Sequence, residues 1–202
     1  AFSQGNNLVD HDDTNSYVSW SSSNIGLTAG KWYMEMQVTT ISQSSYSTAL
    51  VGASHYGGGP RQLDYNWAYY SNDGDVYNND GGESYGDTWT ANDYISIALD
   101  LDNNRVYFAK NGTWQDSGDP TDGTGAISIT AVGSTDQQAY FFGLGDDGNS
   151  GSVAAFNFGN GSFGETSAGA TNADDNGYGI FKYDVPAGYL AVCSKNLGES
   201  GG

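Results

Sequence analysis

The chain has few of the residues that cross-link, kink or positively charge a small protein. Its 202 residues include a single cysteine, Cys193, so no intrachain disulfide can form. There are only 3 Pro, and only 6 Lys+Arg stand against 24 Asp+Glu. Stability must therefore come from packing of apolar side chains. Cys193 follows an apolar run, which favours a small buried hydrophobic residue over a nucleophile.

The shortage of basic residues excludes several classes of partner. The formal net charge is -18, whereas nucleic-acid binding needs clustered Lys and Arg to neutralise phosphates. An anionic membrane surface would repel the chain for the same reason. No apolar run approaches the roughly 20 residues that span a bilayer. We therefore expect no nucleic-acid partner and no membrane insertion, and the acidity favours either an exposed, highly soluble protein or divalent-cation binding.

The residues that are abundant predict an all-β protein. There are 30 Gly, with many Ser, Thr, Asn and Asp between short apolar runs, and no long segment has a helical period. The 15 Tyr, 8 Phe and 5 Trp can supply a sizeable core. Nine strands are predicted, at residues 17–20, 30–40, 47–53, 66–70, 94–101, 105–110, 126–132, 139–144 and 152–158. Because their apolar faces need a facing sheet, we predict a two-sheet antiparallel β-sandwich.

A hairpin is the most specific local prediction. Residues 94–101 alternate apolar and polar side chains, and residues 105–110 do so again. Between them, Asp102-Asn103-Asn104 are residues that tolerate positive φ, and Asn111-Gly112 forms a second turn signal. The aspartates in this stretch are therefore better explained by turn geometry than by a metal site.

The chain is expected to form one domain over residues 1–202. The sandwich core would cover about residues 17–159, followed by a Gly/Asn/Asp-rich loop at 160–178. Residues 179–197 would then dock on the sandwich through Tyr189, Leu190 and Val192. The chain begins at Ala1 without a visible signal peptide, so we expect a processed start or a piece of a longer precursor.

Four segments resemble the SPRY (B30.2-like) family. They are GKWYMEM at residues 30–36, WAYY at 67–70 with GDVYN at 74–78, ISIALDLDNNRVYFAKNG at 95–112, and YFFGL at 140–144 with FNFG at 156–159. Their order and spacing agree over roughly residues 30–159. The resemblance implies a concanavalin A-like jelly roll and a non-catalytic recognition or scaffold module, without naming a ligand.

The C-terminal phrase YDVPAGYLA at residues 183–191 is similar to the end of SPRY-like regions in bacteriophage structural proteins. This similarity implies an extracellular, virion-surface protein, such as a tail-fibre, tail-tip or head-decoration module. Its partners would be a host-surface glycan or protein, or neighbouring virion subunits. A homo-oligomer held by symmetric contacts is a further possibility that the sequence leaves open.

The predicted binding residues are aromatic and polar groups in or near two long loops, at residues 56–66 and 71–88. Aromatic faces provide contact area, whereas amides and a lone arginine provide direction. The set is Tyr56, Arg61, Tyr65, Trp67, Tyr77, Asn78 and Trp114. Core packing is the competing interpretation for Trp67 and Trp114.

The alternative function is a secreted carbohydrate-binding module or a glycoside hydrolase of the concanavalin-like class. Such a hydrolase needs two carboxylates about 5–5.5 Å or 6.5–9.5 Å apart. The chain has four Glu and no ExDxxE-type strand motif, and Glu35 is expected to be a surface residue of a strand. We therefore predict no catalytic residues.

No cofactor site is predicted from the remaining motifs. The GxGxxG match at residues 143–148 carries two aspartates that would repel a pyrophosphate, and a strand follows where a helix would be needed. His11 and His55 lack metal-ligand spacing, although His55 is a candidate ligand contact. Paired aspartates do not complete an EF-hand loop. The sequence does not decide whether calcium binds between separate acidic loops.

Overall fold

The structure is a computed structural model that describes residues 2–3, 7–11, 19–41, 47–52, 64–134, 138–146 and 151–200. Its elements in chain order are β1 (Phe2–Ser3), β2 (Leu8–His11), β3 (Ser19–Ser22), β4 (Lys31–Ile41), β5 (Ser47–Gly52), β6 (Asn66–Tyr70), β7 (Asp75–Asn78), β8 (Gly81–Ser84), β9 (Tyr94–Asp100), β10 (Arg105–Lys110), β11 (Thr113–Trp114), β12 (Ile127–Ser128), β13 (Phe141–Asp146), β14 (Ser152–Asn157), β15 (Ser162–Phe163), β16 (Thr166–Ser167), β17 (Leu190–Ala191) and α1 (Ser194–Ser200).

These strands form two large sheets packed face to face. The nine-stranded sheet has the order β1-β2-β14-β4-β9-β10-β11, with β12 also on β10 and β17 also on β4. The six-stranded sheet has the order β3-β13-β5-β6-β7-β8, and β15 pairs with β16. Pairing is antiparallel except for β17, which runs parallel to the start of β4. The prediction of an all-β sandwich is confirmed.

The β9–β10 hairpin forms at the predicted place in the chain. Asp100 pairs with Arg105, and the ladder continues to Ile95 and Lys110. The turn closes through Asn104 at a φ of 56°, a conformation that asparagine tolerates better than most residues. The Asp100 carboxylate accepts hydrogen bonds from the Asn103 backbone N–H at 3.0 Å and its side-chain amide at 2.8 Å. Turn geometry therefore accounts for this aspartate, as expected.

The main core lies between the two sheets. Alternate residues of β4 and β9 point inward, and they meet aromatic and aliphatic side chains of β6 and β13. The buried set includes Trp32, Met34, Met36, Val38, Ile95, Ile97, Leu99, Tyr69, Phe142 and Leu144. Burial of this apolar surface is the main favourable term in folding.

A second cluster lies on the outer face of the nine-stranded sheet. Tyr33 and Tyr107 project outward from β4 and β10, and residues 179–193, here called the C-terminal strap, cover them. Phe181 and Tyr189 of the strap are fully buried. The Phe181 ring meets the Tyr33 ring edge-on at a centroid distance of 5.0 Å. Both faces of this sheet are therefore packed near its centre.

Several element predictions differ from the structure. Residues 71–88 were expected to be a loop but contain the β7–β8 hairpin, and only Ile127–Ser128 of the expected strand 126–132 is a strand. The hairpin turns at Asn79 and Asp80, whose φ angles are 49° and 58°. Most of the predicted loop 56–66 lies outside the described residues. No helix in the described ranges is long and apolar enough to cross a bilayer.

Candidate functional site

A groove of about 570 Å³ lies at one edge of the sandwich. It lies where β8, the last strand of the six-stranded sheet, approaches β12 of the nine-stranded sheet. We call it the edge groove. Its lining residues are Trp67, Val76, Asn78, Gly81, Gly82, Glu83, Ser84, Tyr85, Asp116, Ala126, Ile127 and Ser128.

Two short strands form the walls of the edge groove. On one side, β8 pairs with β7, with Gly81 opposite Asn78 at one end and Ser84 opposite Asp75 at the other. A Cβ added to Gly82 would lie 2.6 Å from the Tyr77 ring, so glycine at this position lets that ring pack across the strand. On the other side, β12 pairs with the start of β10, with Ser128 opposite Arg105. The walls thus belong to different sheets.

The floor of the edge groove is apolar and closely packed. Trp67 is 6% exposed, and its ring lies 5.8 Å from that of Tyr140. The Tyr85 hydroxyl accepts a hydrogen bond from the Phe108 backbone N–H at 3.0 Å. Burial raises the pKa of Tyr85 well above its ordinary value, so this phenol stays neutral. The floor is therefore closely packed and uncharged.

The rim of the edge groove is polar and acidic. Glu83, Ser84, Asp116 and Ser128 are exposed. Glu83 and Asp116 carry the charge among the lining residues, none of which is Lys or Arg. Arg105 shares the outward face of β10 with Tyr107, and its guanidinium lies beside Gly123. The groove therefore presents negative potential to solvent.

The structure brings two of the seven predicted binding residues together. Trp67 and Asn78 both line the edge groove. The Asn78 amide nitrogen donates to the backbone oxygens of Asp64 and Asn66 at 2.8 Å and 2.9 Å, so it holds β7 against the chain entering β6.

The other five predicted residues lie elsewhere. Tyr77 faces the opposite side of the six-stranded sheet, where its ring packs on Tyr70 at 4.7 Å. Tyr65 is half-buried against the main core. Trp114 packs beside Tyr33 and Tyr107 in the outer cluster and borders a smaller cavity of about 190 Å³. Tyr56 and Arg61 fall outside the described residues, as does His55.

Sequence reasoning missed the rim residues of the groove. The residues Gly81 to Ser84 lack the apolar alternation of a half-buried strand, because all four are exposed. The pair Asn79-Asp80, directly after β7, could have indicated the hairpin turn, because both residue types tolerate positive φ. No comparable signal marks Ser128, whose place depends on pairing with a distant strand.

The position of Glu35 differs from the one expected from the sequence. It was expected at the surface of β4 but is fully buried beneath the C-terminal strap. Its carboxylate accepts hydrogen bonds from the backbone N–H groups of Lys182 at 2.9 Å and Tyr183 at 2.8 Å. The Tyr33 hydroxyl lies 3.0 Å from Oε1, and the Asn157 amide donates to Oε2 at 3.3 Å. Burial raises the pKa of Glu35, although these hydrogen bonds oppose the shift.

This environment gives Glu35 a structural role. A general acid or nucleophile of a glycosidase must reach the scissile bond. Glu35 is covered by the strap, and its oxygens are occupied by donors of the same chain. Asp174 is buried in a similar way, accepting from the Ala191 backbone N–H at 2.9 Å and the Asn196 amide at 2.6 Å. Within the described residues, no group of three or more His, Cys, Asp or Glu could hold a metal ion.

Comparisons with known proteins agree with the fold. A family model described as "SPRY domain" matches residues 11–160. The SPRY domain of human HERC1 aligns with a TM-score of 0.59 and 15% identity, covering 74% of this chain and 87% of that one. A second human SPRY domain aligns with a TM-score of 0.56 and 16% identity, covering 74% of this chain and 90% of that one.

No curated protein sequence gives a significant match. The two solved structures therefore support the sandwich fold, whereas the family assignment depends on the match of the family model. That match covers most of the chain, and it includes the hairpin, β4 and β14, which carried the sequence resemblance. The chain belongs to the SPRY domain family.

Proposed function

We propose that this SPRY domain is a non-catalytic recognition module on the surface of a bacteriophage virion. It binds a host-surface glycan or protein, or a neighbouring virion subunit, in the edge groove. The observation that carries the proposal is the groove itself, with a closely packed aromatic floor and an exposed polar rim. Binding sites of this kind combine apolar contact area with a few polar groups that set orientation.

Two further observations support recognition over catalysis. SPRY domains generally act as protein-interaction modules. Glu35, the glutamate on the central strand β4, is enclosed by the strap and has four hydrogen-bond partners within the chain. The virion location is supported by the strap sequence at residues 183–191, which is similar to bacteriophage structural proteins, and by the high negative charge, which favours solubility of an exposed protein.

A cell-binding assay tests the groove. Fluorescently labelled protein is titrated onto a panel of bacterial strains, together with Ser128→Trp, which fills the exposed wall of the groove without removing a core contact. Thr166→Trp is the matched control, because Thr166 is exposed on β16 and does not line the groove. We expect saturable binding to some strains, a loss of about tenfold or more for Ser128→Trp, as for a central contact of an interface, and no change for Thr166→Trp.

Three results would contradict this proposal. If wild type and Ser128→Trp bound the cells equally well, the groove would not be the binding site. Release of reducing ends from surface polysaccharide, abolished by substituting a carboxylate, would show catalysis. Gold-labelled antibody against the protein, viewed on purified phage particles by electron microscopy, tests the virion location, and particles without label would overturn it.

A further inference from the structure

The edge groove contains a strand edge that has no neighbouring strand among the described residues. The strand β8 is the last strand of the six-stranded sheet. An edge strand presents backbone N–H and C=O groups that can pair with another chain. All four residues of β8 are exposed. The edge is therefore open to an added strand.

The strand β8 lacks several features that keep other edge strands from pairing with a further strand. Its sequence, Gly-Gly-Glu-Ser, contains no lysine or proline, and its pairing with β7 has no bulge. Gly81 and Gly82 carry no side chain that would obstruct an approaching backbone. The short length of β8, 4 residues, limits the pairing to a short segment of the partner.

The charge of the groove selects the chemistry of that partner. Glu83 lies on β8, and Asp116 lies on the facing rim. Both are exposed, and the lining residues include no basic group. A second copy of this chain would bring its own Glu83 and a net charge of -18 to the same edge, which like-charge repulsion disfavours. A cationic segment would be attracted to the same edge.

We propose that the edge groove binds an extended, cationic peptide segment of a partner protein, which adds to the six-stranded sheet as a strand beside β8. Backbone hydrogen bonds to β8 hold the segment, as in other cases of strand addition. Alternate side chains of the segment then point toward the groove, where Lys or Arg at these positions reach Glu83 and Asp116, and the intervening side chains point away from the groove. The inference deepens the proposed function by naming the class of partner, and it rests on that function.

The test uses synthetic six-residue peptides, about 20 Å long when extended. The probe alternates lysine and valine, and its acidic counterpart alternates glutamate and valine. Affinity is measured by isothermal titration calorimetry at about 0.15 M salt, where exposed charges more than about 8 Å apart are largely screened. We expect saturable binding of the lysine peptide with a stoichiometry of one, and no binding of the glutamate peptide.

Two modified probes separate strand addition from simple charge attraction. Each carries N-methyl groups on one alternate set of residues, either the lysines or the valines. Because alternate N–H groups of a strand point to opposite sides, only one of these sets can face β8. We expect one methylated peptide to lose binding and the other to keep it. Equal binding of both methylated peptides would overturn strand addition.

Matched variants test the charge assignment. The double variant Glu83→Gln/Asp116→Asn removes both groove charges. The control Glu165→Gln/Glu199→Gln removes two exposed acids that do not line the groove. We expect the groove variant to weaken binding of the lysine peptide about tenfold and the control to weaken it less than about twofold, because distant exposed charges are screened. Equal losses in both variants would overturn the assigned contacts.

The outcomes separate this inference from the proposed function. If Ser128→Trp abolishes binding to bacterial cells but the lysine peptide does not bind, the groove is a recognition site and the class of partner is wrong. If light scattering finds a dimer that Ser84→Arg dissociates, the edge pairs with a second copy and the inference is overturned. If the lysine peptide binds and Ser128→Trp abolishes that binding, both are supported.

Discussion

At the residue scale, the carboxylate of Glu35 joins three parts of the chain. It binds the strap through Lys182 and Tyr183, β14 through Asn157, and its own strand through Tyr33. Without Glu35, the half-buried backbone N–H groups of Lys182 and Tyr183 lose this acceptor, whereas Tyr33 and Asn157 keep Ser96 and the Ile180 carbonyl as partners. Glu35 therefore connects the nine-stranded sheet to the strap through hydrogen bonds.

Replacement of Glu35 by alanine is expected to lower the free energy of unfolding by about 3 kcal/mol. The estimate reflects a cost of about 1–3 kcal/mol for each buried donor left unsatisfied, partly offset by water entering the space. Urea unfolding followed by tryptophan fluorescence measures the change. Glu165→Ala, at an exposed position, is the control. A loss below about 0.5 kcal/mol, the range of ordinary surface substitutions, would contradict the role assigned to Glu35.

Glu35 also predicts a pH dependence with a definite sign. Burial raises the pKa of Glu35 in the folded protein above its value in the unfolded chain. The folded state therefore binds the proton more tightly, and this contribution to stability is complete below the unfolded pKa and is lost as pH rises through the folded pKa. The difference in unfolding free energy between wild type and Glu35→Gln should shrink as pH rises from about 4 toward 7. A difference that grows with pH would contradict it.

His11 titrates in the opposite sense. Its Nε2 lies 2.9 Å from the Ser21 hydroxyl, and burial lowers the pKa of His11 to about 4. The neutral imidazole is therefore favoured in the folded protein, and the stability it contributes is lost as pH falls below the unfolded value. A proton NMR titration, with His11→Gln to assign the resonance, should find this low pKa. Titration of His11 near 6.5 would contradict burial of the ring.

At the scale of elements, the strap is packed as part of the sandwich. Phe181, Tyr189 and Ala191 are buried against Tyr33 and Tyr107, and Asp174 ties the preceding loop to Ala191 and Asn196. Polar and apolar contacts thus hold the same segment. We expect it to unfold together with the two sheets.

Replacement of Phe181 by alanine tests this cooperativity. The expected loss is about 3–5 kcal/mol, the usual cost of truncating a buried phenylalanine. The neighbouring Ile180→Ala is the control, because Ile180 is 45% exposed. Urea transitions followed by circular dichroism and by fluorescence should shift together in Phe181→Ala. Separate transitions would contradict a single cooperative unit.

Strands with apolar alternation were predictable at this scale. β4, β6, β9, β10 and β14 bury one or both faces, and their bounds agree with the predicted ones within one residue. β8 was missed because a short, exposed strand at a sheet edge needs no apolar pattern, and β7, only 4 residues long, is too short to show a clear alternation. Glu35 was misplaced because the strap that covers it is 147 residues further along the chain. The groove forms only where the β7–β8 hairpin of one sheet meets β12 of the other, so the sequence located Trp67 and Asn78 but not the rim.

At the scale of the whole molecule, excess negative charge opposes the compact state. The net charge is -18, and ion pairs such as Lys31–Asp100 at 3.1 Å and Lys110–Asp93 at 3.6 Å involve only part of the acidic set. Salt screens repulsion between exposed charges. The melting temperature should therefore rise by a few degrees between about 0.01 M and 0.3 M sodium chloride, where the Debye length falls below about 10 Å. A fall in melting temperature would contradict net self-repulsion.

The central claim is that recognition takes place in the edge groove. Amide hydrogen exchange, read by mass spectrometry, tests it directly on the wild-type protein, alone and saturated with a surface extract of a strain that the protein binds. The account predicts slower exchange in residues 81–85 and 126–128, with residues 190–193 of the strap unchanged. Slower exchange confined to other segments, with these two groove segments unaffected, would contradict it.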